Sequence, residues 1–112
     1  MVEVEKRAVE MLIRQMPKSI LLILLAATSI EDGGKLTVED VYQSWVESLR
    51  RRGLPVLSKR RFYDYITELK ERGFIDVVRR GKGRGRGFEY QVVVQPQVKE
   101  VLREVLEHRN TR

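Results

Sequence analysis

The chain has 112 residues, 42% of them hydrophobic, and a formal net charge of +6. That is one domain with one core, too apolar for a disordered segment and too short for two domains. It contains no cysteine and one histidine, His108, which excludes disulfide scaffolds, zinc ribbons, iron–sulfur clusters, thiol catalysis and His-based triads.

Residues 2–14 read as a first helix. Val2, Val9, Leu12 and Ile13, with Met16 beyond, fall along one stripe at helical spacing. Pro17 ends that helix and opens the next, Lys18–Ile30, which is apolar nearly all round and so belongs in the middle of a small domain. Its apolar run, residues 20–27, is far short of the roughly 20 residues a membrane span needs. Asp32-Gly33-Gly34 is a turn signal, and Lys35-Leu36 a very short extended piece. Thr37 follows as an N-cap, with Glu39 and Asp40 in the first turn of a third helix. Val38, Val41, Tyr42, Trp45 and Leu49 give that helix one apolar face to about Arg52, and Gly53 stops it.

After a loop containing Pro55, Ser58 is expected to cap a fourth helix, 59–72. Its apolar face is Phe62, Tyr65, Ile66 and Leu69, and Gly73 ends it. Residues 74–79 are strand-like. Residues 81–87 read Gly-Lys-Gly-Arg-Gly-Arg-Gly, a loop with no side chains suited to packing. In Phe88–Val94, Phe88, Tyr90, Val92 and Val94 alternate with Glu89, Gln91 and Val93, the pattern of a half-buried strand. A last helix begins at Gln95-Pro96, with Val98, Val101, Leu102, Val105 and Leu106 as its stripe, and the tail from His108 is expected to fray. Trp45, Tyr42, Tyr65 and Tyr90 lie on apolar faces and read as core. The fold class is mostly α with a small β-hairpin: a winged helix-turn-helix with additional N- and C-terminal helices, one domain over residues 1–112.

The charge is unevenly placed. Residues 1–49 are net −3, residues 50–87 net +9 and residues 88–112 neutral, so the middle third supplies more than the whole surplus. A field of that kind attracts a polyanion, and nucleic acid is the expected partner. Lys59-Arg60-Arg61 opens the fourth helix, where cations oppose the helix dipole unless an external anion is bound there. In helix-turn-helix proteins the N-terminal residues of this helix meet base edges in the major groove. Placing residues at 100° intervals puts Arg60, Tyr63, Asp64 and Thr67 opposite the core. Arg60 suits a guanine edge, Tyr63 and Thr67 a phosphate or thymine methyl, and Lys59 and Lys70 phosphate. Asp64 either orients Arg60 or Arg61 at i+4 and i+3, or reads cytosine.

In the 81–87 loop, Lys82, Arg84 and Arg86, with Arg79 and Arg80 before it, suit a narrow minor groove. The alternative is a mobile charged loop. It is not a dinucleotide fingerprint, which would need glycine at Arg86 and a helix after it. Arg50-Arg51-Arg52 either favours its helix C-terminus or adds a phosphate contact. Glu68 and Glu71 read as solvated ion-pair partners. No carboxylate cluster suits a metal, and no thiol, usable histidine or phosphate loop suits catalysis, so neither enzyme activity nor a cofactor is expected.

Residues 53–69, with Ser58, Arg60, Arg61, Asp64, Ile66, Glu68 and Leu69 in the pattern Ser-x-Arg-Arg-x-x-Asp-x-Ile-x-Glu-Leu, followed by Gly73-Phe74-Ile75, resemble the C-terminal winged-helix domain of archaeal origin-recognition and cell-division-control initiator proteins. The segment 17–22 and Val41-Tyr42 are similar as well, and the likeness spans about residues 5–106. The resemblance implies duplex DNA binding at replication origins, with contacts at Ser58, Lys59, Arg60 and Arg61 and, in the wing, at Arg80, Lys82, Arg84 and Arg86. Where the family's wing often carries an aromatic, this chain has Gly83 and Arg84. The family's AAA+ ATPase portion is missing from these residues, so the chain is expected to be an excised domain or a free-standing relative, and to bind no ATP. Other replication-initiation proteins are further expected partners, the chain acting in the cytoplasm, nucleoid-associated, as a monomer or weak dimer. Two other readings fit the same fold: a free-standing winged-helix transcriptional regulator binding as a dimer, and a protein-interaction module.

Overall fold

A computed structural model describes residues 2–30 and 36–110. The elements are α1 (Val2–Gln15), α2 (Lys18–Ile30), α3 (Val38–Arg51), α4 (Lys59–Glu71), β1 (Ile75–Gly81), β2 (Phe88–Val94) and α5 (Pro96–Asn110). Among the described residues, five helices and one antiparallel hairpin make a winged helix, as its sequence predicts.

The helix ends follow local chemistry. Pro17 sits just outside α2, where its carbonyl accepts the Leu21 N–H at 3.0 Å. Thr37 and Ser58 are the N-caps, their hydroxyl oxygens accepting the N–H of Asp40 at 3.1 Å and of Arg61 at 3.2 Å. Helices α3 and α4 end in the same way. Gly53 and Leu54 donate back to Arg50 and Leu49, while Gly73 and Phe74 donate back to Lys70 and Leu69. Both glycines stand at positive φ, 67° and 78°, which this closure requires. Phe74 and Leu69, the residues the second closure brings together, are both buried.

α2 is the central element, with Ile20 through Leu24, Ala26 and Ala27 all buried. α3 packs across it, and α1 packs along α5 at the other side. Ile13 and the α5 stripe of Val98, Val101, Leu102 and Val105 fill that second seam. Lys6 spans it, its ammonium 2.9 Å from both Glu100 and Glu104. The α1 stripe is narrower than its spacing predicts: Leu12 is 39% exposed, and the Val2 side chain lies outside the described residues, as does that of Leu106 in α5. α5 continues to Asn110, past the end expected at His108.

β1 and β2 pair in register from Ile75↔Val94 to Gly81↔Phe88. The short extended piece expected at 35–36 is a single bridge between Thr37 and Gln91, reinforced by the Val92 N–H donating to the Leu36 carbonyl at 2.9 Å. This bridge fixes the start of α3 against the wing. The turn expected at Asp32-Gly33-Gly34 and residue Lys35 lie outside the described residues. On β2 the expected burial alternation holds only over Val92–Val94, and in the outer half Glu89 and Gln91 are half-buried instead. Tyr90, read from sequence as core, is 54% exposed, and Phe88 is 59% exposed. The hairpin outruns the helices, so its outer half has no core to enter.

Candidate nucleic-acid interface

The apolar face of α4 anchors it. Phe62, Ile66 and Leu69 are buried and Tyr65 is half-buried. Phe62 meets Tyr42 edge-on, with ring centroids 5.1 Å apart, and lies 5.3 Å from Trp45. Rigid packing on that side fixes what the opposite side presents. Arg60, Tyr63, Asp64 and Thr67 are all exposed there, at the i, i+3, i+4 and i+7 positions of one stripe. Arg61 and Lys70 are exposed beside them.

The wing stands next to this stripe. Thr37, Val38 and Glu39 of the α3 start, Tyr63 of α4, and Lys82, Phe88, Glu89 and Tyr90 of the wing line one cleft of about 250 Å³. Helix and wing therefore form a continuous face. The loop between the strands is not a loose end. The Lys82 N–H donates to the Gly87 carbonyl at 3.0 Å and the Arg86 N–H to the Gly83 carbonyl at 3.2 Å. Gly83 stands at φ 110°, which a side chain would strain. Lys82, Arg84 and Arg86 of that frame are exposed, as are Arg79 and Arg80 before them. The Arg79 guanidinium lies 4.1 Å from the centre of the Phe88 ring, a cation–π contact.

Among the described residues, only two of the cations in 50–87 are in ion pairs, Lys59 and Arg72. Arg72 pairs with Glu68 at 3.3 Å, the role read for Glu68 in the sequence; Glu71 has no such pair. Lys59 reaches back to Glu39 at 2.8 Å and lies over the Tyr42 ring at 5.1 Å. That latch was missed by sequence reasoning, because it joins residues twenty apart on two helices. Hydrogen bonds from Lys59 first, and Gln43 second, hold the Glu39 carboxyl below its ordinary range, and the bond to Glu39 holds Lys59 above its own. The carboxylate's contribution is present above the ordinary carboxylate range and is lost as acid takes the pH down through its lowered value. The lysine's contribution is present below the ordinary lysine range and is lost as pH rises through its raised value, so the latch holds across neutral pH.

One sequence reading needs correction. Asp64 forms no ion pair with Arg60 or Arg61 among the described residues, so it does not orient them through a salt bridge. The Thr67 hydroxyl donates to the Tyr63 carbonyl at 3.0 Å, while the residue stays exposed on the stripe. Arg50, Arg51 and Arg52 are exposed but stand at the far end of α3, about 18 Å along its axis from Glu39 at 1.5 Å per residue. Ser58 is already a cap, although its own proton remains free to donate.

No helix among the described residues is long and apolar enough to cross a membrane, and no group of His, Cys, Asp or Glu there could hold a metal ion. No curated protein matches the chain. Among solved structures, the chain is similar to the Aeropyrum pernix Orc1 protein in complex with DNA, at 27% identity and a TM-score of 0.75, over 91% of this chain and 28% of that one. It shares a fold with Cdc6p from Pyrobaculum aerophilum, at 17% identity and a TM-score of 0.61, over 89% of this chain and 26% of that one. The chain thus corresponds to a minor part of each relative's length. Residues 11–104 match the family described as CDC6, C terminal winged helix domain. The resemblance read from Ser58 to Leu69 and from Gly73 to Ile75 points to the same proteins, and the chain belongs to the CDC6 C-terminal winged-helix domain family.

Proposed function

We propose that the chain binds duplex DNA with sequence preference in the initiation of replication, at origins, within the cytoplasm and on the nucleoid. The observation that carries this is the single face shared by α4 and the wing, on which nearly every cation lacks an acidic partner within the described protein. The family membership and the relative solved with DNA support it. Helix 59–72 enters the major groove. Arg60 reads a guanine edge, Tyr63 and the Thr67 methyl meet phosphate or thymine, and Ser58, Arg61 and Lys70 hold the backbone. Wing 81–87 lies in or near the minor groove, where Arg79, Arg80, Lys82, Arg84 and Arg86 meet its negative potential. Lys59 joins these contacts once it leaves Glu39. Residues 1–112 act as one domain, and other initiation proteins bind elsewhere on it.

Two substitutions separate reading from positioning. Arg60→Ala is expected to weaken the best site by about 1–3 kcal/mol and relax preference at one base pair, whereas Lys82→Ala weakens all sequences alike. Equilibrium titration of each variant against a panel of single-base changes makes the comparison. Equal profiles for both variants would remove the assignment of roles. Glu39→Gln is expected to act the other way. It frees Lys59 and removes a like charge from the phosphates, so affinity rises several-fold on every sequence and the salt slope steepens by about 0.9. Unchanged binding would mean that Lys59 stays off the DNA.

A further inference from the structure

The cleft between α4 and the wing carries more than duplex recognition uses. Tyr63, Phe88 and Tyr90 are 46%, 59% and 54% exposed, and all three line it. Phe88 and Tyr90 are two apart on β2 and so share one face of the hairpin. That face runs from buried Val94 and Val92 outward to exposed Tyr90 and Phe88. The Arg79 guanidinium lies over the Phe88 ring at 4.1 Å, while no ring or cation among the described residues is seated on Tyr90. Tyr63 serves the duplex reading above, but contacts to phosphates and groove edges call for cations and hydrogen-bond donors and give no use to the rings of Phe88 and Tyr90. Aromatic faces beside cations are the platform on which unpaired bases stack.

Charge selects what fits. Glu39 and Glu89 also line the cleft, so a phosphate is disfavoured inside it. Lys82 lines its wing side, with Arg84 and Arg86 following in the loop, so a phosphate is favoured there. A ligand with a flat uncharged body and an anionic tether satisfies both halves. The space, about 250 Å³, is smaller than the cavities that hold drug-sized ligands and is on the scale of a single ring system. We infer that the cleft takes an unpaired nucleobase, so that the domain binds DNA carrying unstacked bases more tightly than continuous duplex. The inference rests on the DNA reading above for its backbone contacts, but not on recognition of intact duplex.

The test uses two duplexes of one sequence, one continuous and one with a short central run of mismatches, titrated by fluorescence anisotropy at fixed salt. The chain is expected to prefer the mismatched duplex by roughly 5- to 150-fold, the range that stacking one base on one ring supplies. Tyr90→Ala is expected to abolish most of that preference and leave affinity for the continuous duplex in place, while Tyr90→Phe, which keeps the ring, retains both. Tyr90 is half in solvent, so neither change threatens folding. Equal affinity of the unsubstituted chain for the two duplexes overturns the inference, as does a preference that survives Tyr90→Ala. Binding to the mismatched duplex alone supports it and removes the intact-duplex reading; binding to neither removes both.

Discussion

Trp45→Ala is expected to destabilise the domain by about 3–5 kcal/mol, the range for removing a fully buried large aromatic. Trp45 is completely buried and lies where three helices meet. Its ring contacts Phe62 and Tyr65 of α4 and stands 6.2 Å from Tyr42 of its own helix. Its indole N–H donates to the Ser19 carbonyl of α2 at 2.8 Å, so one side chain ties α2, α3 and α4 together. A natural domain has about 5–15 kcal/mol in all, so this loss is a large share of it. Trp45→Phe fills much of the space but gives up the hydrogen bond, and a loss of about 1–2 kcal/mol is expected. Urea unfolding measures both: the midpoint should fall with the slope unchanged. A loss below about 1 kcal/mol for Trp45→Ala would mean that the ring cluster is not what seats α4, and that its exposed stripe is held by something else.

Replacing Lys82, Arg84 and Arg86 together with alanine is expected to have the largest effect on binding. Three phosphate contacts at about 0.9 each lower the salt slope by about 2.7, and at 0.15 M salt that slope amounts to roughly a hundredfold loss of affinity relative to a 1 M reference. The loss should be nearly the same on every sequence, because these side chains meet backbone or groove potential rather than base edges. Folding should be untouched. The loop is shaped by its own main-chain hydrogen bonds and by glycines at positive φ, and none of the three side chains is buried. Anisotropy titrations across a salt series give slope and affinity together. An unchanged slope would place the wing away from the phosphates.

The sequence makes the elements legible because their causes are local. Helical spacing marks four of the helices, Pro17 and an unbroken apolar run mark α2, Thr37 and Ser58 announce two starts, and Gly53 and Gly73 announce two ends. The stripe Arg60, Tyr63, Asp64 and Thr67 follows from the position of Phe62, Ile66 and Leu69 on the same helix, and it emerges on the exposed side. What depends on distant partners is not legible. Alternation assigns Phe88 and Tyr90 to the face of Val92 and Val94, but the length of the helices decides where burial stops. Leu12 has helical spacing and yet stays 39% exposed. Asp64 is well spaced for a salt bridge and makes none, while Lys59 takes a carboxylate from another helix that no spacing rule indicates. The charge of residues 50–87 is plain from the sequence; which of those cations are already engaged is a tertiary fact.

The most direct test of the central claim is binding to a random-sequence duplex and to a site selected from a library, each across a salt series. With about six phosphates neutralised, log K is expected to fall against log salt with a slope of roughly −5 to −6, and the selected site should bind well above the random one at every salt concentration. A stoichiometry of two on a palindromic site would turn the reading from origin binding toward a dimeric regulator. Absence of binding to either duplex at low salt would contradict the account, because a face of unpaired cations shared by helix and wing would then serve some partner other than DNA.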